Sequence, residues 1–361
     1  MRAQLDILAL EPFYGGVRRA MLSAVMRCSR HRWTLLKLPP RRMERRLAAA
    51  ASWFAEQLDR HFSGHTDVLF TSEAMNLANL YRLVPDLASR PSVVYFHENN
   101  LPPENATEDG ALDLVNLNTA MAASEVWFNS TFHLKTFLSR GSALVVRHPE
   151  LTSHNPMGAI TAKSRLVTPP MELGYVADVR AAFPQPARQA DTIFVETRDA
   201  DVSLLNRALH LLQQSGREFR LITVGPVKQL SGDLERKTIR EIDEPAQVLG
   251  MMESAILLSV KPSATSDYLC MRGMLSGCRP IVPDDGVYPE LIPDAFHASS
   301  LYRNDPTDLA HALDDALEYG GWDAIKPDWR KAFRSFDAIS ACRTVDQRLE
   351  ELAETRANGS L

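Results

Sequence analysis

Short β-branched and aromatic runs alternate with helical patterns along most of this chain, and no other feature limits its fold as much. Leu5, Ile7, Leu8, Ala9 and Leu10 read as a strand, residues 17–26 as a helix with Ala20, Met21, Ala24 and Val25 at core spacing, and residues 33–38 as a second strand stopped by Pro39 and Pro40. A helix over 41–61, a strand over 67–71, a helix capped by Ser72, a strand over 93–96, a helix over 111–123, a strand over 125–128 and a helix capped by Asn129-Ser130-Thr131 continue the series. After 150 the periodicity fades. It resumes with strands over 192–195, 219–224 (closed by Gly225-Pro226), 255–260 and 279–283, and helices over 203–214, 245–254, 267–276, 308–318 and 337–354. Strand–helix alternation with short connections implies doubly wound parallel sheets. At 361 residues, two such domains are expected rather than one.

The stretch Val93-Val94-Tyr95-Phe96-His97-Glu98-Asn99-Asn100 turns abruptly from a buried strand to an imidazole, a carboxylate and two amides, and Pro102 and Pro103 then force a loop that runs to Asp109. Open α/β sheets present their chemistry just past the carboxyl ends of strands, so His97, Glu98 and Asn99 are the candidate catalytic residues. A plain solvated strand end has the same composition. Gly15-Gly16, between the first strand and helix, would let a ligand approach bare backbone at a helix N-terminus, and is equally a tight turn. No G-x-G-x-x-G follows, so the dinucleotide fingerprint is absent.

Composition narrows the class. Apolar and charged fractions of 45% and 24% are those of an ordinary globular protein. No apolar run reaches the roughly 20 residues of a membrane helix, and the first residues lack a signal-peptide layout. Cys28, Cys270, Cys278 and Cys342 show no metal-ligand spacing and suit a reducing compartment. A cytoplasmic protein without a membrane partner or a resident metal is expected. Net charge is −5, yet Arg27, Arg30, Arg32, Lys37, Arg41, Arg42, Arg45 and Arg46 crowd together with Glu44 as the only acid among them. Such a run is either a solvated helix face or a grip on a phosphate backbone, with Arg41, Arg42, Arg45 and Arg46 as the RNA-binding candidates.

Three of these stretches together resemble one family. Glu11-Pro12-Phe13-Tyr14-Gly15-Gly16 is similar to the E-x-F-Y-G-G opening of a glycosyltransferase-like family that includes the tRNA-queuosine alpha-mannosyltransferases. Tyr95-Phe96-His97-Glu98-Asn99 resembles its Y-F-H-E-N signature, and Phe128-Asn129-Ser130-Thr131-Phe132 its F-N-S-x-F element; residues 67–80 and 287–293 also fit its pattern. The resemblance implies a GT-B fold, two Rossmann-like doubly wound domains facing a central cleft. An acceptor-side domain over 1–170, a donor-side domain over 171–329 and a last helix over 330–361 crossing back to the first domain are then expected. It also implies a retaining hexosyltransferase that needs no cofactor and takes a nucleoside diphosphate sugar such as GDP-mannose, with tRNA as the acceptor. Helix N-termini and basic side chains would stabilise the leaving diphosphate. His97 would bind the transferred sugar, Glu98 and Asn99 would orient it or hold the acceptor, and Gly15, Gly16, Asn129 and Ser130 would shape the same site.

The second half departs from that pattern. The family's diphosphate-holding Arg and Lys fall on Val195 and Ala200, with Arg198 between them, and its two glutamates eight positions apart fall on Ala264 and Arg272, with Asp267 an acid nearby. An arginine cannot accept a hydrogen bond from a ribose hydroxyl. Arg198, Lys261 and Arg272 are therefore the cations offered for a reshaped donor pocket, beside Tyr288 and Glu290 of the retained Tyr288-Pro289-Glu290 turn. Three readings stay open: an active transferase with an altered donor site, an inactive relative that binds tRNA or another ligand, and motifs kept because the fold packs around them.

Overall fold

A computed structural model describes residues 4–107, 110, 112–148, 150–151, 155–225, 230, 234–319, 322 and 327–357. The chain divides into two compact units, Met1–Glu172 with Ser335–Leu361, and Leu173–Arg334.

The first unit runs β1 (Asp6–Glu11), α1 (Gly16–Cys28), β2 (Arg32–Lys37), α2 (Met43–His61), β3 (Val68–Ser72), α3 (Leu77–Leu83), α4 (Pro85–Ala88), β4 (Ser92–Phe96), α5 (Asp113–Ala122), β5 (Glu125–Phe128), α6 (Thr131–Arg147), α7 (Pro156–Lys163) and β6 (Ser164–Leu166). Its sheet is parallel throughout, in the order β2-β1-β3-β4-β5-β6. Successive strand residues point to opposite faces, and the sequence uses both. Leu8, Leu10, Leu69, Val94, Phe96 and Phe128 pack against Phe54 of α2, Leu80 of α3, Leu117 of α5 and Phe137 of α6. Ile7, Ala9, Val68, Phe70, Val93, Tyr95 and Trp127 face the other way, onto Met21, Leu22 and Val25 of α1.

The second unit runs α8 (Tyr175–Ala182), β7 (Gln189–Glu196), α9 (Val202–Gln214), β8 (Arg220–Val224), β9 (Arg236–Ile239), α10 (Glu244–Glu253), β10 (Ser254–Leu258), α11 (Tyr268–Ser276), β11 (Arg279–Pro283), α12 (Tyr288–Leu291), α13 (His297–Ser300), β12 (Leu301–Tyr302), α14 (Pro306–Glu318) and α15 (Trp329–Ala332). Its parallel sheet has the order β12-β11-β10-β7-β8-β9. The last helix, α16 (Ala338–Ala357), belongs to the first unit, where Cys342, Val345, Leu349 and Leu352 complete the core beside α1. Asp346 of α16 takes the Ser29 hydroxyl at 2.5 Å and the Arg30 N–H at 3.0 Å, just past the end of α1.

Some local expectations change. Ser72 ends β3 and gives its hydroxyl to Glu11 at 3.0 Å; the cap of α3 is Asn76, whose side chain accepts the Asn79 N–H. The faded stretch after 150 holds α7 and β6, and the connection beyond it holds α8. The helix expected over 111–123 is α5; Asp109, Ala111 and Pro226 lie outside the described residues.

Candidate functional site

Each sheet has a point where the chain, having laid strands to one side of its first strand, returns to the other side; ligands of open α/β sheets bind at such points, outside the carboxyl ends. In the first sheet that point lies between β1 and β3, with β4 next to β3. Three strands end there in acids or polar groups, at Glu11, at Glu73 and at His97 to Asn99.

Glu73 is fully buried and organises this end. Its carboxylate accepts the backbone N–H of His97 at 3.2 Å and of Glu98 at 3.1 Å, and its backbone carbonyl accepts the Asn116 amide at 2.7 Å. The Arg18 guanidinium, also buried, binds the Glu73 carboxylate and reaches the half-exposed Glu98 carboxylate at 3.4 Å. Burial works against the charge on Arg18, but Glu73, Glu98 and Glu11 outweigh it and its pKa rises. One guanidinium thus pairs with a buried carboxylate and a half-exposed one. Burial pushes Glu73 up and Glu11 up to about 7, although Arg18 pulls both the other way. The Glu11 carboxylate accepts the Phe13 N–H at 2.7 Å, which shapes the turn leading to Gly15.

His97 is buried against the Tyr95 ring, 4.7 Å between centroids, and its carbonyl accepts the Asn129 amide at 3.1 Å. Burial, with the nearby Arg18 and His133, holds the imidazole well below its usual pKa. At neutral pH it is uncharged, with one ring nitrogen able to donate and the other to accept. Asn129 also takes His133 Nδ1 at 2.9 Å, and Ser130 caps α6 by accepting the His133 N–H at 3.1 Å. Asn99 accepts the Leu101 N–H through its side-chain oxygen at 3.1 Å. Asn99 Nδ2, Asn100 Nδ2, Asn116 Oδ1 and Arg18 Nε are buried with no hydrogen-bond partner among the described residues.

The two glycines divide their roles. A Cβ on Gly15 would sit 2.5 Å from Pro40 Cγ, so its bareness serves packing; Gly16, at φ +50°, has nothing within 4 Å of that position. No side chain caps the helix they open. Arg18, Glu73, Asn116 and His133 were not among the residues the sequence singled out. The signal for Glu73 was close to the one used for His97, an ionisable group directly after a buried strand, but Thr71 and Ser72 end that strand in polar residues.

In the second sheet the corresponding point lies between β7 and β10. There Lys261 is paired with Glu196. Both are mostly buried; burial raises Glu196, while Asp267 and Glu196 overcome burial to raise Lys261. Arg198 pairs with Glu241. Arg272 reaches Glu244 at 3.2 Å and lies 5.0 Å over the Tyr175 ring. Tyr288 is buried, donating to Asp267 at 2.9 Å and lying 2.6 Å from the Ser259 hydroxyl, while Asp267 also caps α11 through the Cys270 N–H. Glu290 is exposed, on α12. All three cations expected at a donor pocket therefore already hold a carboxylate, and Tyr288 braces the fold.

The basic run is also partly consumed. Arg27 pairs with Glu172, Arg30 with Glu350 and Arg32 with Asp6, Lys37 lies over Tyr14, and Arg46 donates to the Pro39 carbonyl at 3.1 Å. Arg41, Arg42 and Arg45 remain exposed at the start of α2.

Comparison with known proteins agrees with this architecture. Residues 6–171 match the model described as tRNA-queuosine alpha-mannosyltransferase N-terminal. The chain is 24% identical over 313 residues to the tRNA-queuosine alpha-mannosyltransferase of Drosophila melanogaster, covering 81% of this chain and 82% of that one. Among solved structures, HepE of Anabaena, in complex with UDP and glucose, is 14% identical with a TM-score of 0.64 over 96% of this chain and 100% of its own. A UDP-forming alpha,alpha-trehalose-phosphate synthase from Burkholderia xenovorans is 10% identical with a TM-score of 0.68 over 96% and 99%. The expected resemblance and the GT-B fold class are borne out. Among the described residues, no helix is long and apolar enough to cross a membrane.

Proposed function

We propose that this chain is a cytoplasmic glycosyltransferase that moves a hexose from a nucleoside diphosphate sugar to a hydroxyl of its acceptor, with retention at the sugar carbon. The observation that carries this reading is the neutral His97, buried at the switch point of the first sheet and fixed by Glu73 and Asn129. An uncharged imidazole binds sugar hydroxyls as donor and acceptor alike. Glu98, the one half-exposed carboxylate of the cluster, is suited to an acceptor hydroxyl. The acceptor oxygen bonds to the sugar carbon on the face from which the diphosphate departs, as that bond breaks, and the departing diphosphate takes the acceptor's proton.

A mannosyl donor, tried as GDP-mannose, and tRNA as acceptor are the first pair to test, because the Drosophila relative is named a tRNA-queuosine alpha-mannosyltransferase. Wild type should gain several degrees in thermal midpoint with GDP-mannose or UDP-glucose, since a ligand bound only by the folded state raises it. His97→Ala should abolish transfer while leaving that gain nearly intact. No gain with any nucleotide sugar overturns the reading.

One observation favours a second reading, a protein that binds RNA without transferring a sugar. Lys261, Arg198 and Arg272 each already hold a carboxylate, so a diphosphate must displace an acid at every one of them. In that case calorimetry detects no nucleotide sugar, and RNA binding through Arg41, Arg42 and Arg45 falls steeply with salt.

A further inference from the structure

The second unit has an open-mouthed cavity of about 340 Å³ at the opposite edge of its sheet from Lys261. Arg188 lies directly before β7 and Gly277 two residues before β11, so the cavity sits at the amino ends of these strands. The length of β7 puts roughly 25 Å between the two edges. The volume is at the lower end of the range for small-molecule sites.

Its lining is unusual for a packing defect. Arg180 of α8 and Arg330 of α15 are exposed and have no carboxylate partner among the described residues. Arg188 adds a third guanidinium, held in place by the carbonyls of Ser254 and Ser276, where α10 and α11 end. Asp328 also lines the cavity, but its carboxylate caps α15 by accepting the Lys331 N–H at 3.1 Å. The Ser276 hydroxyl is fully buried in the lining and has no partner among the described residues. Trp322 is part-exposed, its ring 6.1 Å from Trp329 and 5.6 Å from Phe296.

We infer that this cavity is a binding site for a ring-bearing anion of mononucleotide size, the anionic group held by Arg180 and Arg330 and the ring placed against Trp322. The orphan Ser276 hydroxyl supplies a hydrogen bond that the protein itself leaves unused. The inference does not depend on glycosyl transfer, because none of these residues belongs to either strand-end site.

Tryptophan fluorescence tests it, as Trp322 and Trp329 are the only indoles of the second unit. AMP titrated into the full chain should quench saturably, with adenosine and inorganic phosphate each at least tenfold weaker. Arg180→Ala and Arg330→Ala, both surface changes, should each weaken AMP at least fivefold, and Trp322→Phe should remove most of the quench. Arg198→Ala, at the other sheet edge, should leave the AMP quench as it is in the wild type. Absence of AMP binding overturns the inference, as does phosphate binding equal to AMP. Binding that survives both arginine changes and is lost in Arg198→Ala assigns the nucleotide to the strand-end site instead.

Discussion

Removing the Glu73 carboxyl would leave the buried Arg18 guanidinium without its closest counter-charge and two backbone N–H groups without an acceptor. Breaking a buried pair from one side costs about 3–5 kcal/mol, so Glu73→Ala should lower the unfolding free energy by that much, read as a lower urea midpoint at unchanged m-value. Glu73→Gln keeps an acceptor oxygen and should lose less. The neighbouring Glu11 makes stability depend on pH. Its folded pKa of about 7 lies above the ordinary 4.5, so the folded state holds a proton that the unfolded state releases. That contribution is complete below pH 4.5 and disappears as pH rises through 7, a difference of about 3 kcal/mol. His133 has the opposite sign. Burial takes it down to about 3, so the unfolded state gains the proton below 6.5 and stability falls with acid. The two oppose each other between 4.5 and 6.5, and above 6.5 the Glu11 effect stands without it. Thermal midpoints from pH 6.5 to 8 should therefore decline in the wild type and decline less in Glu11→Gln; equal slopes would show that Glu11 is already ionised in the folded state.

At the scale of elements, α16 is held by more than apolar contact. Asp346 takes two hydrogen bonds from the residues after α1, and Arg348 pairs with Glu125 at the start of β5. Asp346→Ala should cost about 1–3 kcal/mol, because the Ser29 and Arg30 donors lose their acceptor, readable as a lower thermal midpoint. Strands such as β1 and β4 were legible in the sequence because both their faces are buried and their apolar runs are continuous. β9 was not: Arg236, Lys237 and Thr238 are exposed, so no hydrophobic alternation marks it. β12 has two residues, too few for any period, and α7 opens in a loop-like stretch behind Pro156. The same limit governed the site. His97, Glu98 and Asn99 are contiguous and announced themselves, whereas Arg18 and Glu73 lie 55 positions apart and become partners only once α1 and β3 are placed.

For the molecule as a whole, the two strand-end sites differ in electrostatic character. The first keeps polar atoms unpaired, and the second has its cations matched. Freeing Lys261 by Glu196→Gln should tighten GDP or UDP by on the order of 1 kcal/mol, roughly fivefold, as measured by calorimetry; an unchanged affinity would mean that Lys261 does not meet the diphosphate. The return of α16 to the first unit has a further consequence, for synthesis. The sheet face formed by Ile7, Phe70, Tyr95 and Trp127 is covered partly by α1, made early, and partly by Val345, Leu349 and Leu352, made only after the second unit. The whole second unit, Leu173–Arg334, is translated between them. At about 5–20 residues per second, the nascent first unit carries an open apolar strip for roughly 10–30 s. That exposure ends only when α16, which follows the second unit, packs onto the face.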